Sequence, residues 1–138
     1  MEEKTPYLEI YDYGEKGYMP LVFTPGWQVA LLNWMPLYDL ENASEIEVHT
    51  ETDEVFILWK GHGALFVETD QGLRLEDMQP GVIYNVPKGS WHGVIATRDV
   101  SWIIVEDRDT HLHDTTIRSL TEAEKRTLRE KAPGWAKD

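Results

Sequence analysis

The feature that most limits the fold is a succession of short apolar runs, roughly four to eight residues each, closed off by turn-forming residues. "YLEIYDY", "PLVFTP", "WQVALLNW", "IEVHT", "EVFILWKG", "GVIYNVPKG", "WHGVIATR" and "VSWIIVED" follow one another in this way. Runs this short and this rich in β-branched and aromatic residues suit strands, and many of them at such spacing indicate a sandwich or barrel. "ALFVETDQGLRLEDM" reads as a hairpin turning at Asp70, Gln71 and Gly72, where glycine supplies the positive φ of a tight turn.

Only the end of the chain changes period. Thr121 followed by Glu124 has capping-box spacing, and Leu120, Ala123, Thr127, Leu128 and Lys131 share a face before "APGW" stops the pattern. The expected fold class is all-β with one short C-terminal helix. Linkers, low-complexity stretches and solenoid periods do not interrupt the sequence, so residues 1–138 read as one domain: a barrel over about 7–107, then a tail and helix over about 108–138.

Composition narrows the chemistry. With 41% hydrophobic residues and 15 aromatic ones the 138-residue chain can bury a core. Its 25 acidic residues against 13 basic ones give a formal charge of -12, which repels phosphate backbones and anionic lipid, so nucleic acid and membrane are not expected partners. Cysteine is absent, which removes disulfides, thiolate nucleophiles and Cys-ligated zinc; a metal would need His and carboxylate ligands. "MEEKTPYLEI" carries neither a basic leader nor an apolar h-region, and the expected location is cytoplasmic.

Two stretches carry chemistry. In "EVHTETDEVFILWKG", residues 47–61, side chains two apart on a strand point the same way, so Glu47 and His49 project together with Val48 opposite. Glu54 has the wrong parity for one straight strand with His49, so a turn in "TETD", centred on Thr52 and Asp53, must intervene. Beyond it Glu54, Phe56 and Leu58 share one face and Val55, Ile57 and Trp59 the other; both faces are apolar, and such a strand is expected to be covered on both sides, by the core and by another element or a second subunit. A carboxylate in that layer needs a cation or good donors. In the second stretch, "GVIYNVPKGSWHGVIA", Pro87 and Gly89 turn the chain before a strand in which His92 is in phase with Val94 and Ala96.

The spacing of Gly81, Pro87, Gly89 and His92 resembles the second cupin motif, and that of Glu54 and Gly61 the end of the first. The chain is thus similar to a small single-domain cupin, which implies a double-stranded antiparallel β-helix, or jelly-roll barrel. The resemblance places the second motif's metal-binding histidine at His92 and the first motif's carboxylate at Glu54. It expects two further histidines one residue apart: with four intervening residues these positions are Glu47 and His49, and with three they are Val48 and Thr50. The first register keeps the polar pair together and is preferred here. Glu47 then stands where the motif has histidine, and Ala96 where it closes with asparagine.

The implied site is His49, Glu54 and His92 with Glu47 as a further ligand, a mixed N and O set suited to Fe, Mn, Ni, Co or Zn. The expected function is a metal-dependent enzyme acting on a small polar organic molecule by isomerase, lyase or dioxygenase chemistry, with Glu47 the candidate base if it is not a ligand. The alternative is a metal-free barrel that binds a small ligand without catalysis. A homodimer is expected in either case. His111 and His113 in "THLHD" also have ligand-like spacing, but that stretch, with Asp114, reads as a surface loop, and His62 between two glycines as an exposed turn.

Overall fold

The computed structural model describes residues 2–137. A small antiparallel hairpin comes first, β1 (Glu3–Lys4) with β2 (Glu9–Ile10), followed by β3 (Gly17–Phe23) and β4 (Trp27–Asn33). Two 3-10 turns lead to β5 (Glu45–Val48), β6 (Glu54–Lys60) and the hairpin of β7 (Gly63–Thr69) and β8 (Gly72–Asp77). Then come β9 (Ile83–Val86), β10 (His92–Ala96), β11 (Ser101–Asp107), the one-turn helix α1 (Thr110–His113), β12 (Thr116–Ser119) and α2 (Glu122–Lys131).

The strands make two five-stranded antiparallel sheets, in the orders β12-β5-β10-β7-β8 and β3-β4-β11-β6-β9. This is the double sheet expected from the alternating runs. Its limits differ from the expected ones: residues 7–16 lie outside both sheets, whereas β12 pairs with β5 from Thr116 opposite Val48 to Ser119 opposite Glu45. "TIRS" carries too few apolar residues to announce a strand, and it becomes one because β5 offers an open edge.

Between the sheets the inward residues interdigitate, among them Ala30, Leu32, Phe56, Leu58, Val94, Trp102 and Ile104. The Trp102 indole N–H, fully buried, finds Met78 Sδ at 3.3 Å. A second cluster, Ile46, Ala64, Phe66, Ile95, Leu120, Leu128 and Ala132, fills the space between the first sheet's outer face and α2. The capping box forms as the spacing requires, with Glu124 N–H donating to Thr121 Oγ1 at 3.1 Å and Thr121 N–H to Glu124 Oε1 at 2.9 Å. Of the expected helix face Ala123 is exposed, and Leu128 with Ala132 does the packing.

Among the described residues no helix covers the second sheet's outer face, and only the segment 12–16 flanks one end of it, beside Leu31, Asn33 and Trp59. Cross-strand partners there form a continuous rung, Met19, Leu31, Ile103, Ile57 and Ile83, and a second, Val22, Val29, Val105, Val55 and Asn85. The outer side of β6 is therefore open within one chain rather than covered by another element, and Trp59 at its end is 53% exposed.

Candidate metal centre

Strand register brings the distant residues together. Glu47 on β5 sits directly opposite His92 on β10, so a cross-strand pair joins the two motifs. Glu54 opens β6 on the facing sheet, and the connecting turn, with Thr52 Oγ1 donating to Asp53 O at 2.6 Å, returns it toward His49 as the parity argument required. Gly89, at φ 83, lets the turn before β10 donate its N–H to His49 O at 2.7 Å, which ties the two histidine segments. Gly93 leaves room for the Phe66 ring, since a Cβ there would lie 2.3 Å from Phe66 Cζ.

All four expected residues converge. One donor atom from each of Glu47, His49, Glu54 and His92 lies within 4.8 Å of the others, a spacing that a single divalent ion with bonds of roughly 2.0–2.2 Å nearly spans. His49, Glu54 and His92 are buried, and the Glu47 side chain keeps 38% of its exposure.

The tautomers favour ligation. His49 Nδ1 lies 2.7 Å from Asp114 O and His92 Nδ1 3.0 Å from Ser90 O; a carbonyl only accepts, so each Nδ1 carries the proton. In a neutral imidazole this leaves both Nε2 lone pairs free and turned inward, the arrangement that carbonyl partners impose on metal-binding histidines. Both Nε2 atoms nevertheless face the same oxygen, Glu54 Oε1, at 3.0 and 2.8 Å. A carboxylate also only accepts, so these contacts require protons on Nε2, a proton on Glu54, or a cation among them.

Without an ion the protons must supply the balance. Burial, the largest influence, opposes charge on both imidazoles, but Glu54 outweighs it, taking His49 up to about 9 and raising His92 as well. Burial alone would keep Glu54 neutral; its two imidazole partners reverse this and hold it below the usual carboxylate range. Glu47 is raised, first by burial and then by Glu54.

One other expectation changes. "THLHD" is not merely a surface loop: His111 and His113 are exposed on α1, but Asp114 is buried and accepts from Thr50 N, Thr50 Oγ1 and Glu51 N at 2.9–3.0 Å, besides lending its carbonyl to His49. The loop is pinned because the barrel closes β12 against β5, which draws Asp114 over the turn after His49. His62 is exposed as expected and stacks on Trp135, centroids 5.7 Å apart.

Sequence reasoning missed Glu106. On β11 it follows Trp102 and Ile104 on the inward face, and it is 5% exposed with Oε2 3.9 Å from His49 Nε2. Tyr18 O–H donates to Glu106 Oε1 at 2.5 Å, and Gln28 Nε2–H donates to Tyr18 at 2.8 Å. Oε2 has no hydrogen-bond partner. Burial, then the Glu54 charge, pushes Glu106 up to about 7. The available signal was parity: a lone carboxylate in phase with core residues. These groups face a cavity of about 400 Å³ whose walls also include Met35, Tyr38, Phe56 and Ile117.

The chain has the cupin fold. A cupin-2 domain protein of Shewanella frigidimarina superposes with a TM-score of 0.54 at 22% identity, covering 70% of this chain and 85% of its own. A Bacillus halodurans protein gives 0.55 at 18% identity over 83% and 85%, and a cupin superfamily protein of Desulfitobacterium hafniense 0.50 at 13% over 68% and 81%. At these identities the likeness concerns the fold alone. No protein-family model and no curated protein matches the sequence.

Proposed function

We propose that this chain is a metal-binding cupin whose ion is held by His49, Glu54 and His92, with Glu47 completing the set from the cavity mouth. The observation that carries the reading is the pair of Nδ1–H groups committed to Asp114 and Ser90 carbonyls, which turns two Nε2 lone pairs onto one buried carboxylate. The donor set fits a divalent ion of the Fe, Mn, Ni, Co or Zn kind, and two carboxylates offset its charge.

The cavity of about 400 Å³ suits a small organic molecule, with apolar walls around a few polar groups. A bound ion would supply Lewis acidity there, polarising a carbonyl or hydroxyl. The chain's own residues do the rest. The two carbonyl-tethered imidazoles would fix the ion's place, and Tyr38, Phe56 and Met35 give the cavity apolar wall. Glu47 is the base: half-exposed at the mouth, with its pKa raised, it can take a proton at the edge of the site if it leaves the ion. This supports proton-transfer chemistry of isomerase or lyase type; dioxygenation follows only if the ion is iron.

The same reading includes a homodimer formed over the open face of the second sheet. Nine of the ten rung positions are aliphatic and none is ionisable, so two copies carrying -12 each can meet there without opposing charges in contact. Strands of up to seven residues give a face of roughly 24 by 24 Å, on the order of 600 Å² in projection, near the ~800 Å² each partner of a standard interface contributes.

Elemental mass spectrometry on protein purified without chelator tests the centre. Near-stoichiometric metal in the parent and none in His92→Ala is expected. No uptake by the parent, even after incubation with Mn, Fe, Ni and Zn, would leave a metal-free ligand-binding barrel as the better reading.

A further inference from the structure

The cavity is lopsided in charge. Its walls hold four glutamates, Glu45, Glu47, Glu54 and Glu106, and, among the described residues, no lysine or arginine. Glu47 and Glu54 are accounted for by the metal reading, on which this inference builds; a divalent ion offsets both of them. Glu45 and Glu106 are left over, and of the two only Glu106 is buried. It lies on the sheet that carries Glu54, with Oε2 3.9 Å from His49 Nε2, and it is 5% exposed.

Its two oxygens are treated differently. Oε1 receives the Tyr18 hydroxyl, which is itself held by the Gln28 amide, while the second Gln28 contact runs to His111 Nδ1 at 3.1 Å. These partners orient the carboxylate. Glu106 lines the cavity, and its buried Oε2 has no hydrogen-bond partner, although a buried polar atom without one is costly. His49 Nε2 does not serve it, being 3.0 Å from Glu54 Oε1 instead. The missing group is a donor. A cation answers both the vacant acceptor and the charge excess of the walls, and Tyr18 and Tyr38 add aromatic surface that tolerates an ammonium.

We infer that the cavity selects a small organic amine, its ammonium group donating to Glu106 Oε2 and its carbon skeleton lying on the Tyr38 and Phe56 side. Anionic molecules meet no lysine or arginine there and face Glu106, because His49 and His92 spend their Nε2 positions on Glu54. Glu106 is thereby a specificity-determining residue of the substrate pocket, placed by Tyr18 and Gln28.

Three molecules of one shape test this: phenethylamine, a cation at neutral pH; phenethyl alcohol, its neutral counterpart; and phenylacetate, an anion. Each is titrated by ligand-observed NMR into chelator-treated protein and into protein reloaded with Zn. The amine is expected to bind about tenfold or more tighter than the alcohol in both forms, since a hydrogen bond to a buried charge is worth that much. Phenylacetate is expected not to compete in the metal-free form. Glu106→Gln, which keeps the shape and removes the charge, is expected to bring the amine down to the alcohol's level. Equal binding of amine and alcohol by the parent overturns the inference, as does an amine affinity unchanged in Glu106→Gln. Metal content measured on the same samples separates the two readings. Amine preference without any metal uptake overturns the centre and supports the amine pocket, while metal uptake without amine preference does the reverse.

Discussion

Raising the pH of the chelator-treated protein from 7.5 to about 9.5 should remove the protons that hold His49 and His92 against Glu54. A histidine whose folded pKa lies above its unfolded one binds its proton more tightly when folded, so its contribution is complete below the unfolded pKa near 6.5 and is lost as the pH climbs through the folded value. For His49 that value is about 9. At roughly 1.4 kcal/mol per unit the shift from 6.5 corresponds to at most about 3.5 kcal/mol, of which about 2 kcal/mol falls between pH 7.5 and 9.5, and to about half of these once partial solvent screening of the pair is allowed for. His92 moves in the same direction and adds to the loss. Glu106, raised to about 7, contributes a loss of the same sign at lower pH, which is why the comparison starts at 7.5. When Nε2 binds an ion it carries no proton, so the metal-loaded protein should not share the decline. Urea denaturation at half-unit pH steps, with and without Zn, reads both curves, and the stabilisation by metal should widen with pH. A flat metal-free curve, or two curves falling in parallel, would refute the reasoning about the tautomers.

Three further outcomes follow from single contacts. Asp114→Ala removes the acceptor of two backbone N–H groups and one hydroxyl after His49, and should cost about 1–3 kcal/mol in urea denaturation while weakening metal retention; an unchanged midpoint would mean water replaces the carboxylate without loss. Gly93→Ala drives a Cβ to 2.3 Å from the Phe66 ring and should destabilise by about 1–3 kcal/mol, checked by thermal unfolding; a variant as stable as the parent would show that the ring yields freely. Ile103→Lys places a charge at the centre of the open aliphatic rung, and sedimentation should then show monomer where the parent is dimeric, whereas a parent that is monomeric at micromolar concentration removes the proposed interface.

Local pattern was enough for what depends on neighbours along the chain. The alternating runs announced strands, Thr121 and Glu124 announced the helix start, and parity placed Glu47 with His49 and His92 with Val94. The resemblance to the cupin motifs picked out the four residues that converge, each motif being a strand end whose geometry is set within a few residues. What the sequence left open depended on which strands lie side by side. β12 exists because the edge of β5 accepts it, and Asp114 is buried because that pairing folds it over the turn after His49. Glu106 belongs to the site only because β11 lies beside β6, putting a carboxylate more than fifty positions from Glu54 into the same cavity. Strand order is decided by the burial of whole sheets rather than by any one segment, and so the partners that it creates become visible only in the folded chain.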